Sequence, residues 1–279
     1  MILQNTIRKA SIVLRNNNIS SHQLDAEIIL SNIMGVTREF LITKENLIIT
    51  KKLLEKYNHA IKRRIKKEPV AYIIGKKEFW SENFIVNRDT LVPRPETELL
   101  IYKIVSFFKD KKINILDIGT GSGCILLTLL KELRFSKGIG IDISAPAIKT
   151  AIANSKKMGL FKRSKFKVFD MNKYQHGKYD LIVSNPPYIS SKDLKNLSKD
   201  IRNFEPIIAL NGGLDGLDLV KKVIYKSNKL LKKGGLLAIE IGNRQYLKVA
   251  HLLKQNGYRE KGKELDYIIN VRCIISTKM

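Results

Sequence analysis

The segment Asn185-Pro186-Pro187-Tyr188 closes the apolar run Tyr179-Asp180-Leu181-Ile182-Val183-Ser184. Two consecutive prolines cannot continue a strand or enter a helix interior. They fix φ at both positions and stiffen the turn that follows. Such a turn holds an amide, Asn185, and an aromatic ring, Tyr188, toward one spot. A flat group bearing a nitrogen suits that spot: the ring stacks on its face, and the amide and neighbouring carbonyls accept its N–H hydrogens. Taken alone, the tetrapeptide fits a proline-rich turn with a satisfied Asn equally well.

A second segment shifts that balance. Asp117-Ile118-Gly119-Thr120-Gly121-Ser122-Gly123 follows the strand-like run from Ile113 and opens a helix-like run from about Cys124 to Leu133. Glycines let a backbone turn sharply and approach a ligand closely. A dinucleotide fingerprint is spaced G-x-G-x-x-G, but here the spacing is G-x-G-x-G and position 124 is Cys. Asp117 would repel a pyrophosphate and suits a cationic ligand. S-adenosylmethionine, with a sulfonium, an ammonium and no phosphate, meets that requirement. Asp142 ends the next strand, where a carboxylate can take both hydroxyls of a ribose. Asp170 and Met171 end the third strand and can flank an adenine, Asp170 by a polar contact and Met171 by packing on its face. Singly, each Asp reads as a helix cap or a strand-end turn. Their succession at the ends of consecutive strands, with 185–188 ending the fourth, points to one ligand site.

The elements that must carry these residues run from about 113 to 241. Strand-like runs at 113–117, 138–142, 165–170, 179–184 and 236–241 alternate with helix-like runs through 124–133, 147–158 and 220–231. That alternation predicts an α/β fold, a mainly parallel sheet with helices on both faces. Before it, Ile12, Leu14, Leu24, Ile28, Ile29, Ile33 and Met34 recur at helical spacing, with Ser20 or Ser21 as an N-cap and Gly35 as a stop. A further helix over 50–67 carries Leu53, Leu54, Tyr57, Ile61 and Ile65 on one side. These make a small helical bundle over 1–71. Pro69 ends it, and the segment 72–92 reads as a hairpin linker with Ser81-Glu82-Asn83 as its turn. The catalytic domain is expected over 93–279, opening with Pro93, Pro95 and a helix whose first turns hold Glu96, Thr97 and Glu98.

Composition narrows the function classes. The chain has 279 residues, 44% of them apolar, and no apolar run long enough to span a membrane. Arg8 and Lys9 interrupt any signal-peptide core. Cys124 and Cys273 give no disulfide framework, and His22, His59, His176 and His251 lack metal-ligand spacing, so no metal is expected. The expected compartment is the cytoplasm. The net charge of +25 raises affinity for polyanions, but it is spread along the chain and accompanies a bias to Lys, Ile and Asn. The densest cluster, Lys62-Arg63-Arg64 with Lys66-Lys67, is more often a solvated helix face than a nucleic-acid site.

The order DIGTGSG, Asp142, Asp170, NPPY resembles that of class I S-adenosylmethionine-dependent amino methyltransferases (Rossmann-like). Leu91-Val92-Pro93-Arg94-Pro95-Glu96-Thr97-Glu98, Phe79-Trp80, Phe204-Glu205-Pro206 and Asn211-Gly212-Gly213-Leu214-Asp215-Gly216 narrow the resemblance to the PrmC/HemK family. It covers nearly the whole chain. It implies methylation of the side-chain amide (N5) of the glutamine in the Gly-Gly-Gln motif of class-1 peptide chain release factors, in translation termination. It also implies a substrate-recognising role for the helical bundle, a monomer, and no need for nucleic acid or membrane. Carried over by residue, Gly119, Thr120, Gly121, Ser122, Gly123, Asp142, Met171 and Asn185 would contact the cofactor. Asn185, Pro186, Pro187 and Tyr188 would hold the glutamine, with Asn185, Pro186 and Tyr188 acting in catalysis. Two departures stand out: Met171 where an aromatic residue is common, and Asp266-Tyr267-Ile268-Ile269-Asn270-Val271-Arg272, which lacks the Gly and acidic residue usual before the Arg. A rival reading is an adenine-N6 nucleic-acid methyltransferase that flips a base into the same pocket; against it, no extra target-recognition domain is visible. A catalytically silent binding module is disfavoured by the intact glycine loop and NPPY.

Overall fold

The computed structural model describes residues 2–44 and 46–279. The chain divides into two compact units: Met1–Lys76 with Ser198–Phe204, and Lys77–Leu197 with Glu205–Met279.

The first unit contains α1 (Leu3–Asn16), α2 (His22–Met34), α3 (Arg38–Thr43), α4 (Lys51–Ile65) and α5 (Val70–Ile74). Their inward stripes, among them Leu14, Ile29, Leu30, Leu41, Tyr57 and Ile61, form one apolar cluster. Helix α2 stops at Gly35, whose φ of 69° is the left-handed C-cap that glycine adopts without steric cost. Helix α4 starts at Thr50, whose hydroxyl accepts from Leu53 N. Ser21 stands at the N-cap position of α2 but makes no side-chain cap. Buried Asp25 of α2 is paired with Arg64 of α4 at 2.7 Å, and Tyr57 donates to Ala26 O at 3.0 Å. The charge of Asp25 is thus compensated inside the bundle rather than left bare. Pro69 does not end the helical region, because it is the N-cap of α5, so Tyr72–Ile74 are helical rather than extended.

The second unit opens with a two-stranded hairpin, β1 (Lys76–Phe79) and β2 (Glu82–Ile85). Its turn is Trp80-Ser81, not Ser81-Glu82-Asn83. Both turn residues have positive φ, 52° and 58°, the requirement of a two-residue hairpin loop whose twist matches its strands. Phe79 and Phe84 meet edge to face with centroids 6.0 Å apart and bury in the core. There follow α6 (Thr97–Phe108), β3 (Asn114–Ile118), α7 (Cys124–Glu132), β4 (Lys137–Asp142), α8 (Ala145–Lys157), β5 (Ser164–Val168) and β6 (Tyr179–Ser184). After α9 (Lys199–Phe204), which belongs to the first unit, come α10 (Asp218–Leu230), β7 (Leu231–Glu240), α11 (Tyr246–Gln255), β8 (Tyr258–Leu265) and β9 (Val271–Lys278).

The seven-stranded sheet has the order β5-β4-β3-β6-β7-β9-β8. The first five strands are parallel, β9 runs antiparallel to β7, and β8 pairs antiparallel with β9 and so runs with the first five. One face packs on α6 and α7 through Leu100, Ile104, Leu126 and Leu130, and the other on α10 and α11 through Val220, Ile224, Val249 and Leu253. Chain direction along the sheet reverses between β3 and β6, whose ends are in register at Ile118 and Ser184. A switch of this kind opens a crevice at the carboxyl ends of the strands. It sets the glycine loop after β3 beside the proline turn after β6. No helix among the described residues is long and apolar enough to cross a membrane.

Candidate active site

A cavity of about 340 Å³ lies in that crevice, entirely within the second unit. Its walls are Gly119, Thr120, Gly121 and Ser122 from the loop after β3, Asp142 at the end of β4, Met171 beyond β5, and Asn185, Pro186 and Pro187 after β6. Pro93, Arg94 and Thr97 close it from the segment before and into α6. Of the residues singled out from the sequence, Asp117, Gly123 and Tyr188 lie outside this lining.

The loop is held from behind. Gly119 N and Thr120 N both donate to Ile141 O, at 2.9 and 3.0 Å. Gly121 N donates to Asp142 Oδ2 and Ser144 N to Asp142 Oδ1, each at 2.9 Å. The Asp142 carboxylate therefore uses one site on each oxygen for backbone and keeps one on each for a ligand. Gly123 caps α7 with φ 79°, and a Cβ there would come within 3.1 Å of Phe166 and 3.2 Å of Ala151. Its role is to let α7 start against α8 and β5, behind the wall rather than on it. Asp117 is fully buried; Thr120 donates to its Oδ2 at 2.6 Å, while Oδ1 has no partner among the described residues. Burial pushes the Asp117 carboxyl up to about 7, the hydrogen bond from Thr120 pulling it back only in part. Strand β5 stops at Val168, so Asp170 and Met171 lie beyond its end rather than on it, where Asp170 Oδ1 accepts from Asn172 N and Nδ2 in an Asx turn.

The proline turn sits on a polar network. Asn185 Nδ2 donates to Thr97 Oγ1 at 3.2 Å, and Thr97 Oγ1 donates to Glu240 Oε2 at 2.6 Å. Tyr188 donates to Glu240 Oε1 at 3.2 Å and accepts from Arg272 Nη2 at 3.0 Å. The Arg272 guanidinium also lies 5.5 Å from the Tyr188 ring centre. Burial pushes the Tyr188 hydroxyl up, and Glu240 adds to it. The same burial pushes the Glu240 carboxyl up, against the hydrogen bond from Thr97 and the charge of Arg272. Burial pulls Arg272 down, but Tyr188 and Glu240 more than offset it.

Behind the turn, Gln245 Nε2 donates to Tyr188 O and Gly216 O, and Gly212 N donates to Ile189 O. A Cβ on Gly212 would fall 2.8 Å from Pro187 O, which explains why the Asn211–Gly216 loop can back the turn only with glycine there. On the other side, Arg94 is paired with Glu205 at 2.7 Å, and Val92 N donates to the second Glu205 oxygen at 3.3 Å. The Pro93–Pro95 and Glu205–Pro206 segments are thereby stapled together.

Thr97, Glu240, Arg272, Glu205 and Gln245 are thus parts of the site that charge and spacing did not single out. Thr97 opens α6 and Glu98 lies in its first turn, as the sequence predicts; in addition the Thr97 hydroxyl reaches Glu240, and Glu98 accepts from Trp80 N at 2.8 Å. The available signal was an acid, Glu240, at the end of a wholly apolar strand segment, where only a partnered carboxylate is tolerated.

Comparison with known proteins places the chain. Residues 5–75 match the family model described as PrmC N-terminal domain, and residues 109–270 match one described as methyltransferase domain. A release factor glutamine methyltransferase of Buchnera aphidicola subsp. Acyrthosiphon pisum is 39% identical, over 94% of each chain. The protein of the same name from Clostridium acetobutylicum is 34% identical, over 100% of this chain and 99% of its own. The chain belongs to the release factor glutamine methyltransferase family. Among solved structures, a methyltransferase from Pyrococcus furiosus superposes with a TM-score of 0.53 at 15% identity, covering 82% of this chain and 99% of its own. A ribosomal protein L11 methylase from Lactobacillus delbrueckii subsp. bulgaricus gives 0.51 at 18%, covering 73% and 89%. At these identities the likeness speaks for the fold alone, and the fold is that of class I methyltransferases. In this member of the release factor glutamine methyltransferase family the tail departure noted in the sequence has a structural form: Ile269 stands in the β8–β9 turn with φ 64°. That is a left-handed position where glycine is the unstrained residue.

Proposed function

We propose that the protein transfers a methyl group from S-adenosylmethionine to the side-chain amide nitrogen of the glutamine in the Gly-Gly-Gln motif of class-1 peptide chain release factors. The observation that carries the reading is the sharing of one cavity by two half-sites: the Gly119–Ser122 loop with Asp142, and the Asn185–Pro187 turn.

The donor set fits the cofactor. Asp142 offers one free acceptor site on each oxygen, suited to a vicinal diol. Met171 and Phe169 give an apolar wall for a purine face. Asp142 places a carboxylate on the wall, and the Gly119–Ser122 loop brings no basic side chain to meet a phosphate. When bound, the cofactor supplies a methyl group activated on a positive sulfur.

The chain's own residues prepare the acceptor. An amide nitrogen is a weak nucleophile because its lone pair is delocalised into its carbonyl. Asn185 Oδ1 and the Pro186 carbonyl accept the two amide hydrogens, which orients the nitrogen and enriches it in electrons. The two prolines keep those acceptors from drifting. Tyr188 confines the turn through its ring and its bond to Glu240. The Arg94–Glu205 staple holds closing segments over the cavity and limits water, which strengthens each electrostatic contact inside. Transfer would leave the cofactor as its neutral thioether and the methylated amide nitrogen with one hydrogen too many; that cationic amide is strongly acidic, so its proton passes to water and no side chain need act as a strong base.

The test is methyl transfer from radiolabelled S-adenosylmethionine to purified release factor, to the same factor with its motif glutamine replaced, and to tRNA, rRNA and DNA. Label only on the unaltered release factor is expected. Label confined to nucleic acid would replace this reading with base methylation.

A further inference from the structure

An asparagine amide can hold a glutamine side chain only one way round. Its oxygen must face the two N–H hydrogens of the acceptor; turned by half a revolution, it offers donors to donors. Nothing in the Pro186-Pro187 turn decides which end faces the cavity, because the two ends have nearly the same shape. The decision has to come from what lies behind Asn185, and behind it lies the hydroxyl of Thr97, buried at the first position of α6.

A hydroxyl has a single hydrogen. That of Thr97 is committed to Glu240 Oε2 at 2.6 Å, so toward Asn185 the hydroxyl can only accept. Only the Nδ2 end of the amide can satisfy it, at the observed 3.2 Å, and Oδ1 is left for the acceptor. Glu240 is itself constrained. It is fully buried at the end of β7, and its other oxygen accepts from Tyr188, with Arg272 Nη2 3.9 Å away. The hydrogen-bond direction therefore runs one way from Asn185 through Thr97 to Glu240, and it ends on a carboxylate that Tyr188 and Arg272 hold in place. We propose that Thr97 and Glu240 are positioning residues that fix which end of the Asn185 amide faces the methyl acceptor. The inference rests on the reading of Asn185 as the residue that holds the glutamine.

The chemistry gives a sharp test. In Glu240→Gln the introduced amide keeps its oxygen toward Tyr188 and Arg272, which both require an acceptor. Its nitrogen then faces Thr97 and donates to it. The Thr97 hydrogen is released, turns to Asn185, and favours the reversed amide. In Thr97→Val the hydroxyl is gone and the amide has no preference. In Thr97→Ser the hydroxyl is kept.

The experiment first measures transfer by the wild-type protein to release factor; failure there overturns the reading of the substrate. The variants are then scored against wild type, and this scores the positioning role. Expected are a fall in kcat of about 10-fold to 100-fold for Thr97→Val and for Glu240→Gln, the scale of a misplaced reacting group. KM for release factor and the affinity for S-adenosylhomocysteine are expected to change little. Thr97→Ser is expected near wild type. The double variant should be no worse than Thr97→Val alone, because the carboxylate acts through the hydroxyl. A readout without substrate is the side-chain amide signal of Asn185 in a nitrogen-15 NMR spectrum, expected to shift in Glu240→Gln and to be insensitive to that change once Thr97 is Val. Wild-type kcat in Thr97→Val, failure of Thr97→Ser to restore it, or simple additivity in the double variant would each overturn the proposal.

Discussion

Replacing Asp142 by Ala separates cofactor binding from acceptor chemistry, and the structure sets the size of the effect. The carboxylate has about four acceptor sites. Two are taken by Gly121 N and Ser144 N, both at 2.9 Å, and the two that remain face the ligand. A hydrogen bond to a charged group contributes about 1.5–3 kcal/mol net. Asp142 is only half-buried, so water competes and the lower figure applies. Two ribose contacts then amount to about 3 kcal/mol, or about 100-fold in Kd. Asp142→Asn keeps one acceptor oxygen and turns a donor toward the second hydroxyl, so about 10-fold is expected. The ligand should be S-adenosylhomocysteine, which binds without turnover, measured by calorimetry. Thermal melting of each variant is the control, because Gly121 N and Ser144 N lose their acceptor in the Ala variant. Affinity within about threefold of wild type, with an intact melt, would refute the ribose role.

Three further outcomes follow from other parts of the molecule. Asn185→Ala should lower kcat by about 10³-fold, the scale for removing a preorganised polar partner, while S-adenosylhomocysteine still binds; rapid transfer by this variant in the labelled assay would contradict the acceptor role. Asp117 is raised from 3.8 to about 7 by burial, so the folded protein keeps a proton that the unfolded chain releases. Its stabilising contribution is complete below the unfolded value and is lost as pH rises through about 7, a swing of about 4 kcal/mol between pH 4 and 7. Urea unfolding of the cofactor-free protein should show that slope, and Asp117→Asn should flatten it; parallel profiles would dismiss it. Ile269→Gly should raise stability by about 1 kcal/mol, because relief of the left-handed strain exceeds the added chain entropy. A lowered melting temperature would show that Ile269 makes a compensating contact.

Much of this architecture is legible in the residues, and the exceptions have physical causes. The runs ending at Asp117, Asp142 and Ser184 are apolar because their strands are buried on both faces, and a buried parallel strand is the easiest kind to read. Strand β8, Tyr-Arg-Glu-Lys-Gly-Lys-Glu-Leu, lies at the sheet edge and faces solvent along most of its length, so it carries the charges of an edge and none of the apolar signature. The Trp80-Ser81 turn hides for another reason. It uses positive φ at residues that rarely adopt it, and the packing of Phe79 and Phe84 on the core overrides local preference. At the site, the cavity wall is written in short segments with fixed spacing, which a sequence displays. The Asn185–Thr97–Glu240 connection joins positions 88 and 143 residues apart, and only the fold brings them within hydrogen-bond reach. A buried polar partnership of that kind has no local pattern to betray it.

The discontinuity of the helical unit bears on the order in which the protein is made. Ser198–Phe204 belongs to that unit, although its other residues end at Lys76. The apolar cluster of the unit is drawn from residues 3–74 and no residue of α9 is buried, so a nascent chain holds that core before β3 is made and adds α9 later. The helical core can thus form first, in the usual N-terminal-first order, and α9 joins the unit only after β6 has left the ribosome. Cutting the gene after the first five helices leaves that apolar core whole and removes only α9 from the unit, so the product is expected to fold as a bundle by itself.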